Sequence, residues 1–379
     1  MSVRLGVPAE TATGERRVAL VPDTVARLVK NGYEILVEKG AGRAAHFIDF
    51  AYEEAGAKLV DSASDVIAQA DLLLKVSPPG LDEIQAIPEG GAIMGYMDAY
   101  NSADRVNALR ERKITAFAME LVPRISRAQS IDALSSQATI AGYRAALLGA
   151  QLSDRFFPML TTAAGTIRPA KVLIMGAGVA GLQAIATARR LGAVVEAYDV
   201  RRAAGEQVQS LGAKFLALEL DAEGEGGYAR ELTAEEKVKE QEMLNMHVAQ
   251  ADVVITTAQI PGRAAPTLIS KDMVSIMKPG AVIVDLAAES GGNCELTQAG
   301  KTINHDGVLV HGPVAIASSL AVHASEMYAK NLLNFIALFS NEDGRLEFNW
   351  QDEVVAGSAL THNGEIKHES VRQALGENS

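Results

Sequence analysis

The sequence VLIMGAGVAGLQAIATARRLGAVVEAYDVR, residues 172–201, is the feature that most limits how this chain can fold. It places Gly176, Gly178 and Gly181 in the spacing G-x-G-x-x-G, after an apolar stretch and at the start of a helical pattern. A dinucleotide-binding strand–turn–helix needs this context, because the glycines permit a tight turn, approach of a pyrophosphate and close helix–strand packing. The N–H groups of the helix N-terminus would face the phosphates. A glycine-rich turn without a ligand is the alternative.

Asp199 ends the next predicted strand, 18 residues beyond the last glycine of the motif. A carboxylate at this position accepts two hydrogen bonds from the adenosine ribose and repels a 2′-phosphate, which favours NAD over NADP. Arg201 and Arg202 weaken this preference, because nearby arginines can bind a 2′-phosphate. Since the carboxylate is retained, NAD is the predicted cofactor.

Predicted strands and helices alternate along the whole chain, which indicates an α/β protein with parallel sheets and helices on both faces. Near the start, Arg4–Pro8 is predicted as a strand and Pro22–Gly32 as a helix. A second alternating run follows later, with strands predicted at Lys171–Met175, Val194–Asp199, Lys214–Leu218, Val253–Thr257, Val282–Asp285 and Val308–His311.

Two long helical patterns, Leu134–Phe157 and Ser318–Leu338, flank this second run. The stretch after the second helix is too short for a domain, so we expect it to pack on the first domain. The prediction is therefore two doubly wound, Rossmann-like parallel-sheet domains joined by long helices, with the second inserted into the first. The first domain comprises residues 1–134 and 320–379, and the NAD(H)-binding domain comprises residues 135–319.

The composition limits partners and compartment. A net charge of −12 without a basic tract disfavours nucleic acid as a partner. Cys294 is the only cysteine, which excludes an internal disulfide and fits a reducing compartment. No signal peptide is recognisable, and the uncharged stretch Val172–Ala188 suits a buried strand–turn–helix better than a membrane span. We expect neither direct membrane insertion nor a metal site, because no cysteine–histidine cluster has metal-ligand spacing.

Three candidate contact residues follow two later strands of the second domain. Ala258 and Gln259 come after VVITT, and Glu289 comes after VIVDLAA. Ligands of doubly wound sheets bind at the carboxyl ends of the strands, so these residues are expected near the nicotinamide half of the dinucleotide. Each of them could equally be an ordinary strand end.

The segment PRISRAQSIDALSSQ, residues 123–137, concentrates polar side chains between an apolar strand and a predicted helix. Its polar members include Arg124, Arg127, Gln129, Ser130, Asp132, Ser135 and Ser136. Such donors suit a nicotinamide carboxamide and a phosphate. A solvated loop in which Asp132 or Ser130 caps the helix is the other interpretation, and composition does not separate the two.

An acidic segment, Leu220–Glu242, contains three glycines, Gly224, Gly226 and Gly227, next to Tyr228. A glycine-hinged segment with one aromatic residue suits a lid that closes over a bound cofactor. A surface insertion is the alternative.

Several stretches together resemble the alanine dehydrogenase/transhydrogenase family: RISRAQSIDALSSQATIAGYRA, GAGVAGLQAIATARRLGAVVEAYDVR, GGYA and DLAAESGGNCE. Within this family, the chain is similar over essentially its whole length to the NAD(H)-binding component of proton-translocating nicotinamide nucleotide transhydrogenases. Because it stops at Ser379 with no hydrophobic segments after it, we expect the separately encoded bacterial alpha-1 form.

The resemblance implies that hydride passes between NAD(H) on this chain and NADP(H) on a partner beta subunit. A membrane-spanning alpha-2 subunit would couple this transfer to proton translocation. The resemblance also implies a homodimer in the cytoplasm, peripheral on the cytoplasmic face of the inner membrane through its partner subunits.

The same resemblance assigns contacts in this sequence. The nicotinamide end would be held by Arg124, Gln129, Ser130, Ile131, Asp132 and Ser135. The pyrophosphate would meet Gly176, Gly178, Val179, Ala180 and Gly181. The adenosine end would meet Asp199, Val200 and Arg201. The closing loop would contribute Gly227 and Tyr228. Gln259, placed by its position after a strand, is the remaining candidate contact.

Alanine dehydrogenase chemistry is the main alternative. It requires a general base and cations that bind the substrate carboxylate, so the sequence can be checked for both. Arg17 and Lys75 stand where that enzyme has its cations, as remnants of the fold or as salt-bridge partners. Its histidine is missing from GAIMGYMDAYN, residues 91–101, and Glu289 replaces its aspartate. Hydride transfer between two nicotinamide rings requires contact and orientation, so we expect catalysis by positioning, without a general base, covalent intermediate or metal. A non-catalytic NAD(H) sensor is a third interpretation.

Overall fold

The computed structural model describes residues 2–217, 233–260, 262–340 and 345–376. The chain divides into two compact units. Unit 1 comprises Met1–Gln137 and Ala317–Ser379, and unit 2 comprises Ala138–Ile316.

Unit 1 begins with strands and helices in alternation. Its first six strands are β1 (Arg4–Val7), β2 (Glu34–Glu38), β3 (Lys58–Val60), β4 (Leu72–Leu74), β5 (Ala92–Gly95) and β6 (Thr115–Ala118). The helices between them are α1 (Pro22–Lys30), α2 (Asp49–Glu54), α3 (Ala63–Gln69), α4 (Leu81–Ala86) and α5 (Ala103–Glu111). Short 3-10 turns lie at Arg43–Ala45, Met119–Leu121 and Ser126–Ala128.

Helix α6, Ala133–Leu152, leads into the elements of unit 2. The strands of unit 2 are β7 (Leu160–Thr162), β8 (Gly165–Ile167), β9 (Lys171–Met175), β10 (Val194–Tyr198), β11 (Lys214–Leu216), β12 (Val253–Thr256), β13 (Val282–Asp285), β14 (Thr302–His305) and β15 (Val308–His311). Its further helices are α7 (Val179–Arg190), α8 (Ala204–Ser210), α9 (Ala234–Gln250) and α10 (Lys271–Ser275), with a 3-10 turn at Ala288–Ser290. A second 3-10 segment, Ile316–Leu320, leads from unit 2 back into unit 1. The chain closes in unit 1 with α11 (Ala321–Ile336), α12 (Glu353–Ser358), β16 (Ala359–His362), β17 (Glu365–Ile366) and α13 (Glu369–Ala374).

Both large sheets have the doubly wound strand order. In unit 1 the parallel strands follow β3-β2-β1-β4-β5-β6, and in unit 2 they follow β11-β10-β9-β12-β13-β15. In each, the chain starts in the middle of the sheet and reverses its direction of travel once, which creates a crevice at the carboxyl ends of the two central strands. This switch point lies between β1 and β4 in unit 1 and between β9 and β12 in unit 2. The predicted α/β fold class is confirmed.

Apolar residues cover both faces of each sheet, as parallel sheets require. Strand β9 illustrates this, because Val172 and Ile174 pack into one cluster and Leu173 and Met175 into another. In unit 1, helix α11 buries its apolar stripe completely, with Tyr328, Leu332 and Phe335 inaccessible to solvent.

Several predicted element boundaries are corrected. The helix predicted at Leu134–Phe157 ends at Leu152, because the chain then turns into the β7–β8 hairpin, which was not predicted from the sequence. The pattern Ser318–Leu338 is split, since 3-10 turns occupy Ile316–Leu320 before the α-helix begins. The strand predicted at Lys214–Leu218 ends at Leu216.

Three antiparallel strands were also missed. Strand β14 pairs with β15, β16 pairs with β6, and β17 pairs with β16, so each of the two large sheets has an antiparallel edge. These strands are two to four residues long and carry little apolar periodicity, which explains why the sequence pattern does not reveal them.

Among the described residues, no helix combines the length and the apolar character that a membrane span needs.

Candidate dinucleotide-binding site

The fingerprint glycines form the turn between β9 and α7. Gly176 follows the strand with φ +103°, a left-handed conformation that favours glycine, and Gly178 is the N-cap of the helix. A Cβ on Gly181 would lie 1.8 Å from the carbonyl oxygen of Gly176, so this position admits only glycine at the present separation of helix and strand. A Cβ on Gly178 would meet no atom within 4 Å, which leaves open space beside the main chain.

Helix α7 presents its N-terminus at the switch point of the sheet. Within the described chain, no side chain caps this end, and the first intrahelical bond runs from Leu182 N–H to Gly178 C=O at 2.8 Å. The N–H groups of Val179, Ala180 and Gly181 therefore lack intrahelical acceptors, as in any first helical turn. Together with the space beside Gly178, they form a cradle that suits a diphosphate.

Asp199 follows β10 and ties the glycine loop to that strand. Its Oδ2 accepts the N–H of Ala177 at 2.7 Å, and its Oδ1 accepts the N–H of Arg201 at 2.8 Å. The Arg201 guanidinium pairs with both oxygens at 3.0 Å. Burial would raise the pKa of Asp199, but the hydrogen bonds from Arg201 and Ala177 outweigh it and lower the pKa. The carboxylate is thus ionised and holds the loop, a role that was not predicted from the sequence.

Arg201, one of the two arginines that weakened the choice of NAD, is engaged with that carboxylate. Arg201 forms a bidentate ion pair with Asp199, so a 2′-phosphate would have to compete for its guanidinium. The side chain of Val200, between them, is 76% exposed and offers an apolar surface at the same edge of the sheet.

The loops after β12 and β13 lie at the same carboxyl edge, because both strands are parallel to β9. Thr257 Oγ1 donates to the carbonyl of Gly176 at 3.1 Å, which links the first loop to the fingerprint. Gln259 donates from Nε2 to the carbonyl of Leu286 at 2.9 Å, and Glu289 accepts the N–H of Ala315 at 3.4 Å. Both predicted contacts are therefore held by neighbouring loops.

Unit 1 contains the polar segment 123–137. Some of its side chains bind other residues of the chain, and others are open to solvent. Asp132 precedes α6 and accepts both the N–H and the hydroxyl of Ser135, at 2.9 and 2.6 Å, so it caps this helix. Arg127 pairs with Asp352 at 2.6 Å and with Glu353 at 3.3 Å. These contacts agree with a structural interpretation of some residues in the segment.

Two other residues of this segment are open to solvent. The side chains of Arg124 and Gln129 are exposed and have no hydrogen-bond partner among the described residues. Ser130 is exposed, and its carbonyl accepts from Asn331 at 2.9 Å. The side chain of Ile131 is 3% exposed within the core, so its main chain is the portion that a ligand can reach.

The cations of the alanine dehydrogenase alternative are paired inside unit 1. Lys75 is 1% exposed at the switch point between β1 and β4, with Nζ 2.5 Å from Glu83 and 3.8 Å from Glu10. Arg17 pairs with Glu15 at 2.6 Å and donates to Gln137 at 3.0 Å.

The Glu15 carboxylate is held firmly in its ionised form. Burial would raise its pKa, but the hydrogen bonds and the charge of Arg17, with a bond from Ser318, hold that pKa at about 2. The residues of the chain thus satisfy both cations internally, which agrees with the salt-bridge role considered for them.

The structure does not describe the predicted lid. Gly227 and Tyr228, with the rest of that segment up to residue 232, lie outside the described residues. Among the residues that are described, no group of three or more histidine, cysteine, aspartate or glutamate side chains could hold a metal ion.

Gly142 on α6 was not singled out from the sequence, yet a Cβ there would lie 2.0 Å from the Ala180 carbonyl oxygen. The sequence contained a sign of this contact, because a glycine inside a helical pattern often marks close packing.

Comparison with known proteins assigns the chain to a family. The model for the alanine dehydrogenase/PNT N-terminal domain matches residues 6–141, and that for the C-terminal domain matches residues 145–369. An NAD(P) transhydrogenase alpha-subunit component of Rhodospirillum rubrum is 48% identical over 376 residues, which cover 97% of this chain and 98% of that protein.

A solved structure and a second relative also match nearly the whole chain. The crystal structure of transhydrogenase from Sinorhizobium meliloti has a TM-score of 0.88 at 46% identity, covering 96% of this chain and 99% of that one. Alanine dehydrogenase of Bacillus subtilis is 31% identical over 382 residues, covering 98% of this chain and 94% of that protein.

The fold and the glycine loop define a two-unit α/β protein with a Rossmann-like site. The chain belongs to the alanine dehydrogenase/PNT family, and the resemblance read from its motifs is confirmed. Membership of this family supports assignment of the chain to the oxidoreductases and implies that it binds NAD(H).

The same substitution at the two glycines of the cradle should destabilise the chain to different extents. Gly181→Ala forces helix α7 away from β9 and should lower the free energy of unfolding by about 2 kcal/mol or more, as overpacking does. Gly178→Ala meets open space and should cost less than about 1 kcal/mol, the loss of a favourable N-cap residue. Urea denaturation of both variants tests this, and equal losses would contradict the tight contact between Gly181 and Gly176.

Proposed function

We propose that this chain is the NAD(H)-binding component of a proton-translocating transhydrogenase, of the separately encoded alpha-1 type. Hydride passes between NAD(H) on this chain and NADP(H) on a partner beta subunit, and a membrane-spanning alpha-2 subunit couples the transfer to proton translocation. The observation that carries the proposal is the cradle of Gly178 and the first turn of α7, in a chain that is 48% identical to a transhydrogenase subunit over nearly its whole length.

The residues of unit 2 fit a dinucleotide. The cradle supplies N–H donors and the positive end of a helix to the pyrophosphate, through Val179, Ala180 and Gly181. Asp199, Val200 and Arg201 form the adenosine end, where the ionised carboxylate favours a ribose with a free 2′-hydroxyl. The nicotinamide supplies the hydride chemistry, and the chain supplies binding and orientation.

The nicotinamide end of the proposal rests on Arg124, Gln129, Asp132 and Ser135, with the main chain of Ser130 and Ile131. The exposed guanidinium of Arg124 and the exposed amide of Gln129 supply donors and an acceptor for a carboxamide. Asp132 and Ser135 cap α6 and so fix the conformation of this loop. Gln259 is a further candidate contact, and Gly227 and Tyr228 would contribute the closing lid.

Positioning is the proposed source of catalysis. Direct hydride transfer between two nicotinamide rings has no proton to move, so the chain needs no general base at the reacting carbon. An amino-acid substrate would have to displace Glu15 from Arg17 and Glu83 from Lys75. This internal pairing favours transhydrogenation over alanine dehydrogenase chemistry.

A homodimer belongs to the proposal, and the β7–β8 hairpin supports it. An isolated two-stranded hairpin is marginally stable in water. This one is exposed along most of its length and contains the exposed side chain of Ile167, at 44%. Two further exposed apolar side chains shortly precede it, Phe156 at 56% and Met159 at 64%. Exposed apolar clusters of this kind mark interfaces. We place the complex in the cytoplasm, peripheral on the inner membrane through its partner subunits.

The central experiment mixes the purified chain with NADH, a separately prepared NADP(H)-binding partner domain and an oxidised nicotinamide analogue. We expect reduction of the analogue only when the partner is present, and a large loss with Gly178→Ala, whose Cβ would fill the cradle. Partner-independent activity with pyruvate and ammonium would establish alanine dehydrogenase chemistry instead. NADH binding without either activity would leave a sensor.

Gln129→Asn tests the nicotinamide end. Shortening the side chain by one methylene should slow hydride transfer about tenfold or more while the Kd for NADH changes less than about threefold, because misplacement affects the transition state most. Arg127→Gln is the matched control in the same loop, since Arg127 is occupied by Asp352 and Glu353. Equal losses of affinity and rate in Gln129→Asn would contradict the positioning role.

The hairpin predicts a second pair of variants. Ile167→Lys places a charge among the exposed apolar side chains and should shift the chain from dimer to monomer in sedimentation velocity. Thr166→Lys, one residue earlier on the opposite side of the strand, should leave the dimer intact. A wild-type monomer, or a dimer that tolerates Ile167→Lys, would refute the hairpin interface.

A further inference from the structure

A buried carboxylate organises the loops beside the fingerprint. Asp285 ends β13 and is inaccessible to solvent. Its Oδ1 accepts the hydroxyl of Thr256 at 2.9 Å and the N–H of Ala287 at 3.0 Å. Its Oδ2 accepts the N–H groups of Asn293 and Cys294 at 2.7 and 3.0 Å, and the hydroxyl of Thr297 at 2.6 Å. Five donors around one carboxylate fold residues 286–297 into a compact loop.

Asn293 transmits this order to the neighbouring loop. Its side chain is fully buried, accepts the N–H of Ala258 at 3.0 Å and donates to the Ala258 carbonyl at 2.8 Å. It also donates to the carbonyl of Pro266 at 2.8 Å. The main chain at Ala258 and Pro266 is thereby fixed to the loop that Asp285 organises.

The connection continues to the fingerprint itself. Thr257, next to Ala258, donates to the carbonyl of Gly176 at 3.1 Å. A Cβ on Gly176 would stand 2.5 Å from that hydroxyl, so the two loops are in close contact. The path from Asp285 through Asn293 and residues 257–258 therefore ends at the first glycine of the cradle.

We propose that Asp285 is a positioning residue for the bound dinucleotide. It holds the loops after β12 and β13 in the shape that presents Ala258 and Gln259 toward the nicotinamide half, and it keeps the turn at Gly176 in register with them. This inference rests on the proposed function, because it assumes that the cradle takes NAD(H). Asp285 acts through its neighbours, since its own oxygens are all engaged.

A matched control exists at the opposite edge of the same sheet. Asp252 immediately precedes β12, is 6% exposed and accepts the N–H of Lys171 at 2.9 Å. It also pairs with Arg155 at 3.2 Å and Lys278 at 3.1 Å. It is a second buried carboxylate in the same unit, but at the amino ends of the strands, away from the cradle.

The test compares Asp285→Asn with Asp252→Asn in the full chain. The asparagine at 285 has one acceptor oxygen instead of two, so it loses at least one of the three backbone N–H bonds. We expect both variants to melt at lower temperature. Only Asp285→Asn should raise the Kd for NADH about tenfold or lower hydride transfer at saturating NADH about tenfold, measured well below both melting temperatures. Asp252→Asn should stay within about twofold of wild type in both quantities.

Two outcomes would overturn the proposal: unchanged affinity and transfer in Asp285→Asn, or equal losses in Asp252→Asn. If Asp285→Asn fails to fold, Asn293→Ala replaces it with the same expectation, because it cuts the link to Ala258 while keeping the main-chain bond to Asp285. Measurements on the wild type separate the transhydrogenase function from the positioning role of Asp285. A wild type that binds NADH without partner-dependent transfer refutes the transhydrogenase function, and the affinities of the variants still decide the role of Asp285.

Discussion

The contact between Gly181 and the carbonyl of Gly176 is the constraint on which the site in unit 2 depends. A Cβ on Gly181 would lie only 1.8 Å from the Gly176 carbonyl oxygen, because the first turn of α7 lies directly against the end of β9. Because β9 is central in the sheet, this contact puts the positive end of a helix at the switch point, where the chain connections leave toward opposite edges of the sheet. The open space beside Gly178 then becomes a place where an anionic group can approach main-chain donors.

Carboxylates placed after strand ends complete this arrangement. Asp199 binds the N–H of Ala177, and Asp285 binds three N–H groups of its own loop. Unit 1 uses the same device, since Glu10 accepts the N–H groups of Val76 and Ser77 and Glu120 accepts those of Met97 and Ala99. Irregular backbone near a buried sheet edge needs partners for its donors, and the two oxygens of one carboxyl group satisfy two or three of them at once.

The two units treat their switch points differently. In unit 2 the edge between β9 and β12 retains free main-chain donors and an open cradle. In unit 1 the corresponding position between β1 and β4 is occupied by Lys75 with Glu10 and Glu83. A buried cation satisfied by two carboxylates strongly disfavours a competing anionic ligand, because removing one partner would leave uncompensated charge. The same strand order thus supports a ligand site in one unit and an ionic core in the other.

The sequence by itself determined the fold class, the glycine cradle and the acidic residue after β10, because these depend on contacts between residues close in the chain or on periodicity. It also carried the family resemblance, in motifs of adjacent residues. Only the tertiary structure decided which polar residues are occupied. Arg127 meets Asp352, Arg17 meets Gln137, and Asp285 meets Thr256, and in each pair the partners lie far apart in sequence. Composition cannot reveal such pairs, since the strand order of each sheet determines which strand ends become neighbours.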